Sequence, residues 1–263
     1  MLKIYYDRSM PHIEIAAEQL TTFLGLPITN ALLTSWVVVG LLVLVALLLR
    51  RHTSLIPNAL QNVVEFFMES FLTLMEGVLG SREQAEKYFP LVGTIFLFIL
   101  TSNWLGIVPG IGSVGFFEHV GGQSKFVPLF RSVASDLNMT LALATITVFM
   151  IHIMAVGAIG IKAHIGKFFS FKGPIEFFVG ILELVSEFAK IISFSFRLFG
   201  NIFAGEVLLI ITGFLAPFGA PIPFLMLEIF VGFVQALVFA MLTVVFISIA
   251  VSRHDSSAEV AHH

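Results

Sequence analysis

Residues 174–214 read PIEFFVGILELVSEFAKIISFSFRLFGNIFAGEVLLIITGF, and this stretch decides the fold. It is apolar, yet it carries six charges: Glu176, Glu183, Glu187, Lys190, Arg197 and Glu206. As one continuous helix it would be about 60 Å long at about 1.5 Å per residue. The hydrocarbon core of a bilayer is only about 30 Å thick. Such a helix must tilt strongly or project from the membrane. Ordinary tilts average about 20°, so a steeper one needs a partner surface to hold it. The polar residues are not scattered. At about 100° per residue, Glu183, Glu187, Lys190, Arg197 and Asn201 fall within about 80° of arc and form one stripe, with Glu206 on another face. A charge at the centre of a spanning helix costs about 2.5–3.5 kcal/mol on insertion scales. Glu and Lys can neutralise, but an arginine keeps its charge and requires an anion or water beside it.

The chain beyond this stretch is broken by Pro217, Pro221 and Pro223, and then runs apolar from Met226 to Ser252 with Glu228 inside it. Glu228 and Gln235 are seven residues apart and share a helical face. The two helices are therefore expected to form an antiparallel hairpin. Glu206 near the end of one and Glu228 near the start of the next place two carboxyl groups together near the outer surface.

Hydropathy extends the reading to the rest of the chain. Of its 263 residues 57% are hydrophobic and 12% charged, with 29 Phe and a net charge of −3. The mean hydropathy is +0.99. Soluble domains carry about 25% charged residues, so the lipid bilayer is the expected solvent and nucleic acid is not an expected partner. There is no cysteine, hence no disulfide, thiolate metal site or cysteine nucleophile. The expected fold is an all-α integral membrane protein of about five membrane helices plus an amphipathic surface helix, with a long, strongly tilted C-terminal hairpin. The segments are an outer N-terminal stretch at 1–30, span 31–49, an amphipathic helix at 57–80, spans 90–110 and 136–161, tilted helices 174–214 and 223–252, and a cytoplasmic tail at 253–263. In the amphipathic helix Leu60, Val63, Val64, Phe67, Phe71 and Leu74 recur at helical spacing.

Loop charge orients the layout. With the N-terminus outside, the inner side holds Arg50, Arg51, Arg82, Lys87, Lys162, Lys167, Lys172 and Arg253; the outer side holds Lys3, Arg8, Lys125 and Arg131. Eight against four favours a cytoplasmic C-terminus. The first thirty residues lack the basic-then-apolar order of a signal peptide and the Arg-rich composition of a transit peptide, which favours a bacterial plasma (inner) membrane, with an organelle-encoded homologue as the alternative. His152 reads as a helix-packing residue and Asp136 as a helix N-cap.

The motifs now stand in order. Arg197-Leu198-Phe199-Gly200-Asn201 followed by Ala204-Gly205-Glu206 closely resembles the signature of subunit a of F-type ATP synthases. Glu228 and Gln235-Ala236-Leu237-Val238-Phe239 resemble that family's last helix. Ile56-Pro57-Asn58, Thr101-Ser102-Asn103-Trp104-Leu105-Gly106 and Asp136-Leu137-Asn138-Met139-Thr140 are similar to its earlier segments. The match covers the chain from about residue 30. The family varies between His and an acid at the Glu228 position, with the Glu206 position changing in some lineages, whereas this chain has acids at both. Which ion is carried stays open between proton and sodium.

The resemblance implies a non-catalytic stator subunit lying against a ring of c subunits, each with one mid-membrane carboxylate. Peripheral stalk b subunits and the rest of the F-type complex are the other implied partners. Ions would load through an outer half-channel lined by Glu206 and Glu228, with Gln235 deeper, and leave through an inner one lined by Glu183, Glu187, Lys190 and Ser186. Arg197 would stand between the two, with Asn201 one turn on. Snorkelling to an interface is the alternative for Lys190. No cofactor or metal is expected, and without G-x-x-x-x-G-K-[ST] the chain is not expected to hold nucleotide in a P-loop. An independent ion channel or secondary transporter is the competing function. An intramembrane protease would need paired catalytic residues that the sequence lacks.

Overall fold

The computed structural model describes residues 17–23, 25–51, 59–108, 110–120, 123–168, 173–216 and 219–251. The assigned tail 253–263, the first sixteen residues and the Ile56-Pro57-Asn58 motif lie outside them.

Seven helices form among the described residues: α1 Asn30–Arg51, α2 Ala59–Leu79, α3 Arg82–Ile107, α4 Leu137–Ile159, α5 Ile161–Phe168, α6 Pro174–Leu215 and α7 Pro221–Val251. Five of them, α1, α3, α4, α6 and α7, are long and apolar enough to cross a membrane. The chain is a multi-pass helical membrane protein. Two small antiparallel hairpins sit outside the bundle, β1 Gln19–Phe23 with β2 Leu26–Thr29 and β3 Gly115–Val120 with β4 Gln123–Pro128. Hydropathy gives no sign of either, because a two-stranded ribbon has no long apolar run.

The helix ends follow local chemistry. Asp136 caps α4, its side chain accepting from the Asn138 amide at 3.0 Å; the cap satisfies one of the orphan donors at a helix start. Gly80, at φ 74°, closes α2 in the left-handed conformation that a side chain disfavours. Immediately after it Arg82 binds Glu69 at 2.6 Å and Glu86 at 3.0 Å, pinning the α2–α3 corner. Its hydrogen bond holds the Glu69 carboxyl below the ordinary carboxylate range. The start of α3 therefore precedes the apolar run: the helix begins at Arg82, and Pro90 lies inside it. The apolar stretch marked what lipid can cover, whereas the Arg82 network extends the helix into the polar zone. Both members of the C-terminal pair begin on proline, Pro174 and Pro221, where a missing N–H costs nothing. This moves the start of the last helix from 223 to 221.

Helix α7 is the centre of the bundle, contacting α2, α3, α4 and α6. Its Ala236 and Ala240 are fully buried, as is Ala144 of α4. Small residues let helix backbones approach where lipid supplies no hydrophobic drive between helices. On α3, Asn103 donates to the Gly232 carbonyl at 3.0 Å and Trp104 to the Ile229 carbonyl at 3.1 Å, tying α3 to α7. Helix α1 is held at one end, where its Asn30 donates to the Pro128 carbonyl at 3.3 Å and Thr34 accepts from the Arg131 amide at 3.2 Å.

Gly106 shows how tight the packing is. A Cβ there would stand 2.6 Å from the Ser132 Cβ. Gly106→Val is expected to destabilise the bundle by about 1–3 kcal/mol through overpacking, read as a lower thermal midpoint of the detergent-solubilised protein. An unchanged midpoint would show that this corner yields freely.

Candidate functional site

The polar residues of α6 and α7 fall into three groups along the helix pair. Nearest the α6–α7 turn lie the carboxylates. Glu228 is 7% exposed, and its carboxyl group rests on Gly205, where any Cβ would collide with it. Glycine at 205 is thus what allows α6 and α7 to close over a buried acid. Glu206 follows directly, near enough to Glu228 for the two carboxylates to interact electrostatically. Arg131 approaches from the segment after β4, its Nε 3.5 Å from Glu206 Oε1 and its side chain 9% exposed. The same nitrogen donates to Ser135 Oγ at 3.1 Å. Glu206 Oε2 is buried with no hydrogen-bond partner.

The middle group contains Arg197, Asn201 and Gln235. Asn201 Nδ2 donates to Gln235 Oε1 at 2.6 Å, locking the register of the two helices. Arg197 is half-buried, and its hydrogen bond among the described residues goes to Ser193 Oγ at 3.1 Å, one turn back on its own helix. No carboxylate of the described residues forms an ion pair with it. Around it the outward face of α6 is bare and apolar: Val185, Phe188, Ile192 and Phe196 are all exposed. The opposite face, with Phe194, Leu198 and Ile202, is buried.

The third group lies towards the far end of α6. Lys190 Nζ donates to Glu187 Oε1 at 2.7 Å and sits 4.9 Å from the Phe246 ring centroid. Glu187 Oε2 is 3.4 Å from His152 Nε2 on α4. His152 Nδ1 is 3.1 Å from His164 Nε2 on α5. Glu183 is half-buried without an ion pair among the described residues, and Ser186 is exposed.

The structure therefore brings together Glu206 with Glu228, Asn201 with Gln235, and Glu187 with Lys190. It leaves Arg197, Glu183 and Ser186 facing outward or between groups. Three side chains were not legible as members. His152 read as packing, and it does meet the Phe168 ring edge-on, yet both its nitrogens are also engaged. His164 gave no periodic signal on its short helix. Arg131 counted only as a loop charge. Among the described residues no cluster of three His, Asp or Glu could hold a metal.

Comparison with known proteins shows the family. The family model described as ATP synthase A chain matches residues 32–248. ATP synthase subunit a of Moorella thermoacetica is 32% identical over 229 residues, covering 87% of this chain and 94% of that protein. The corresponding subunit of Campylobacter jejuni (strain 81-176) is 34% identical over 209 residues, covering 78% and 83%. That of Campylobacter concisus is 33% identical over 220 residues, covering 82% and 87%. The chain belongs to the ATP synthase A chain family, the membrane-sector stator subunit of F-type ATP synthases.

Proposed function

We propose that the α6–α7 pair forms two offset ion half-channels against a turning ring of c subunits, coupling ion flow to rotation and ATP synthesis. Membership of the family makes the chain a non-catalytic, ion-translocating subunit of an F-type complex. The finer mechanism rests on Arg197, a permanent, half-buried cation on the polar stripe that borders the exposed apolar face of α6, with no ion pair among the described residues. An arginine at this depth needs an opposing charge. A ring carboxylate passing the face supplies it intermittently.

In this reading the helix pair, its 42-residue first member about 63 Å long, lies strongly tilted across the membrane with the ring holding it. The N-terminus is outside and the C-terminus in the cytoplasm of a bacterial cell, and b subunits fix the chain as stator. Glu206 and Glu228 load ions from the outer side, with Gln235 deeper. The loaded, neutral carboxylate turns through lipid. After nearly a full rotation it releases its ion towards Glu183, Ser186, Glu187 and Lys190. Arg197 separates the two paths: its charge favours the ionised ring carboxylate and repels a cation leaking straight across. Asn201, held by Gln235, lines the same interface. The driving force is about 2.3 kcal/mol per charge per 100 mV, all of it lost if the paths join.

Arg197→Ala is expected to abolish ATP-driven pumping by the assembled complex in vesicles, and pumping at the wild-type rate would refute its role. The double substitution Glu206→Gln, Glu228→Gln should slow loading about tenfold, a barrier increase of about 1.4 kcal/mol. Unchanged synthesis under an imposed gradient would remove both acids from the outer path. Gly205→Leu should impair transport comparably by displacing the Glu228 carboxyl. Normal transport in that variant would show that the packing against Gly205 plays no part.

A further inference from the structure

The polar series from Glu187 through His152 to His164 crosses three helices, α6, α4 and α5. With Glu187 ionised and both imidazoles neutral, one assignment of protons satisfies every contact in the series. An ionised Glu187 only accepts, so His152 Nε2–H points at it across 3.4 Å. A neutral His152 then has a bare Nδ1, which accepts from His164 Nε2–H at 3.1 Å. That leaves His164 Nδ1 bare; it is buried and has no hydrogen-bond partner, on a residue 8% exposed. Every N–H in the series points towards Glu187, and a single lone pair is left over at the far end.

We propose that Glu187, His152 and His164 form a proton wire that ends the inner half-channel, and that the transported ion is accordingly a proton. The inference rests on the half-channel reading above. A proton binding His164 Nδ1 displaces the Nε2 proton to His152 Nδ1, and the His152 Nε2 proton passes to Glu187. One proton enters, one is delivered, and two neutral imidazoles remain in the opposite tautomer. That tautomer is set to carry the next proton the other way, from Glu187 out to His164 Nδ1. Turning of the rings restores the first arrangement and closes a cycle. Chains of Asp, Glu and His serve as proton relays in membrane proteins generally. A sodium ion cannot use such a path, because it has no bond to exchange and favours oxygen ligands over paired imidazole nitrogens.

The surroundings suit the task. Lys190 holds Glu187 from the other side at 2.7 Å. Phe168 packs edge-on against both imidazoles, keeping them facing each other. Lys167 on α5 donates to the Ala250 carbonyl of α7 at 3.2 Å and ties the two helices together. The charged and titratable groups facing the pair are thus Glu187 and Lys190 from α6 and Lys167 from α5; α7 presents the Phe246 ring and a backbone carbonyl. Burial, then the neighbouring His152 and Lys167, push the His164 imidazole below its ordinary value. Near neutral pH the His164 ring is therefore uncharged and its Nδ1 lone pair is available. It is lost on acidification, when a doubly protonated ring can no longer accept.

The test uses the whole ATP synthase in liposomes. His152→Phe and His164→Ala are each expected to lower the initial rate of ATP-driven acidification about tenfold and to remove its decline at acid pH. Added 4-methylimidazole should restore pumping to His164→Ala. Wild-type rates in both variants, or loss in His164→Ala without imidazole rescue, would overturn the wire. A measurement on the unaltered complex decides independently: ATP-dependent 22Na+ uptake in the presence of a protonophore would overturn it too, leaving the half-channels standing. Arg197→Ala, run alongside, separates the two outcomes, since normal pumping there would remove the half-channels themselves.

Discussion

A guanidinium cannot give up its charge inside lipid, and much of this molecule is arranged around that fact. Arg197 sits on a helix of 42 residues whose outward face is phenylalanine, isoleucine and valine, and its hydrogen bond goes to Ser193 one turn back on the same helix. The cost of such a charge is several kcal/mol unless an anion answers it. Three other cations are answered by carboxylates of the described residues: Arg82 by Glu69 and Glu86, Arg131 by Glu206, and Lys190 by Glu187. Arg197 is the contrast, and it occurs where two carboxylate groups are held apart along the same helix pair.

Rigidity around that point comes from small residues and amide contacts. Gly205 admits the Glu228 carboxyl, and Asn201 clasps Gln235. Asn103 and Trp104 bind α3 to the backbone of α7 near Glu228. These contacts set the rotation of α7, which in turn decides that Glu228 faces Glu206 and not lipid. A polar group turned one residue the wrong way would meet hydrocarbon, so the register is strongly specified.

Much of the fold was legible because bilayer thickness imposes a length. The apolar runs gave five spans, and the 3.6-residue period put Glu183, Glu187, Lys190, Arg197 and Asn201 on one stripe. The same tools failed at polar margins. Arg82 extended α3 past its apolar run, and hairpins β1–β2 and β3–β4 carried no hydropathy signal. At the site, the pairing of Glu206 with Glu228 followed from the helix-turn-helix order. The joining of Glu206 to Arg131, 75 positions earlier, followed from nothing local.

The sequence by itself determined which segments enter lipid, where the permanent charge lies, and which residues share its face, since these depend only on side-chain hydropathy and helical period. The tertiary structure alone decided which face of each helix turns inward. Helix α7 carries only Glu228 and Gln235 on one face and α4 has no apolar stripe, so hydropathy orients them weakly; close packing at Ala144, Gly232, Ala236 and Ala240 fixes them. That packing, summed over distant segments, carried His152 to Glu187, His164 to His152 and Arg131 to Glu206, and no reading of neighbours along the chain contains it.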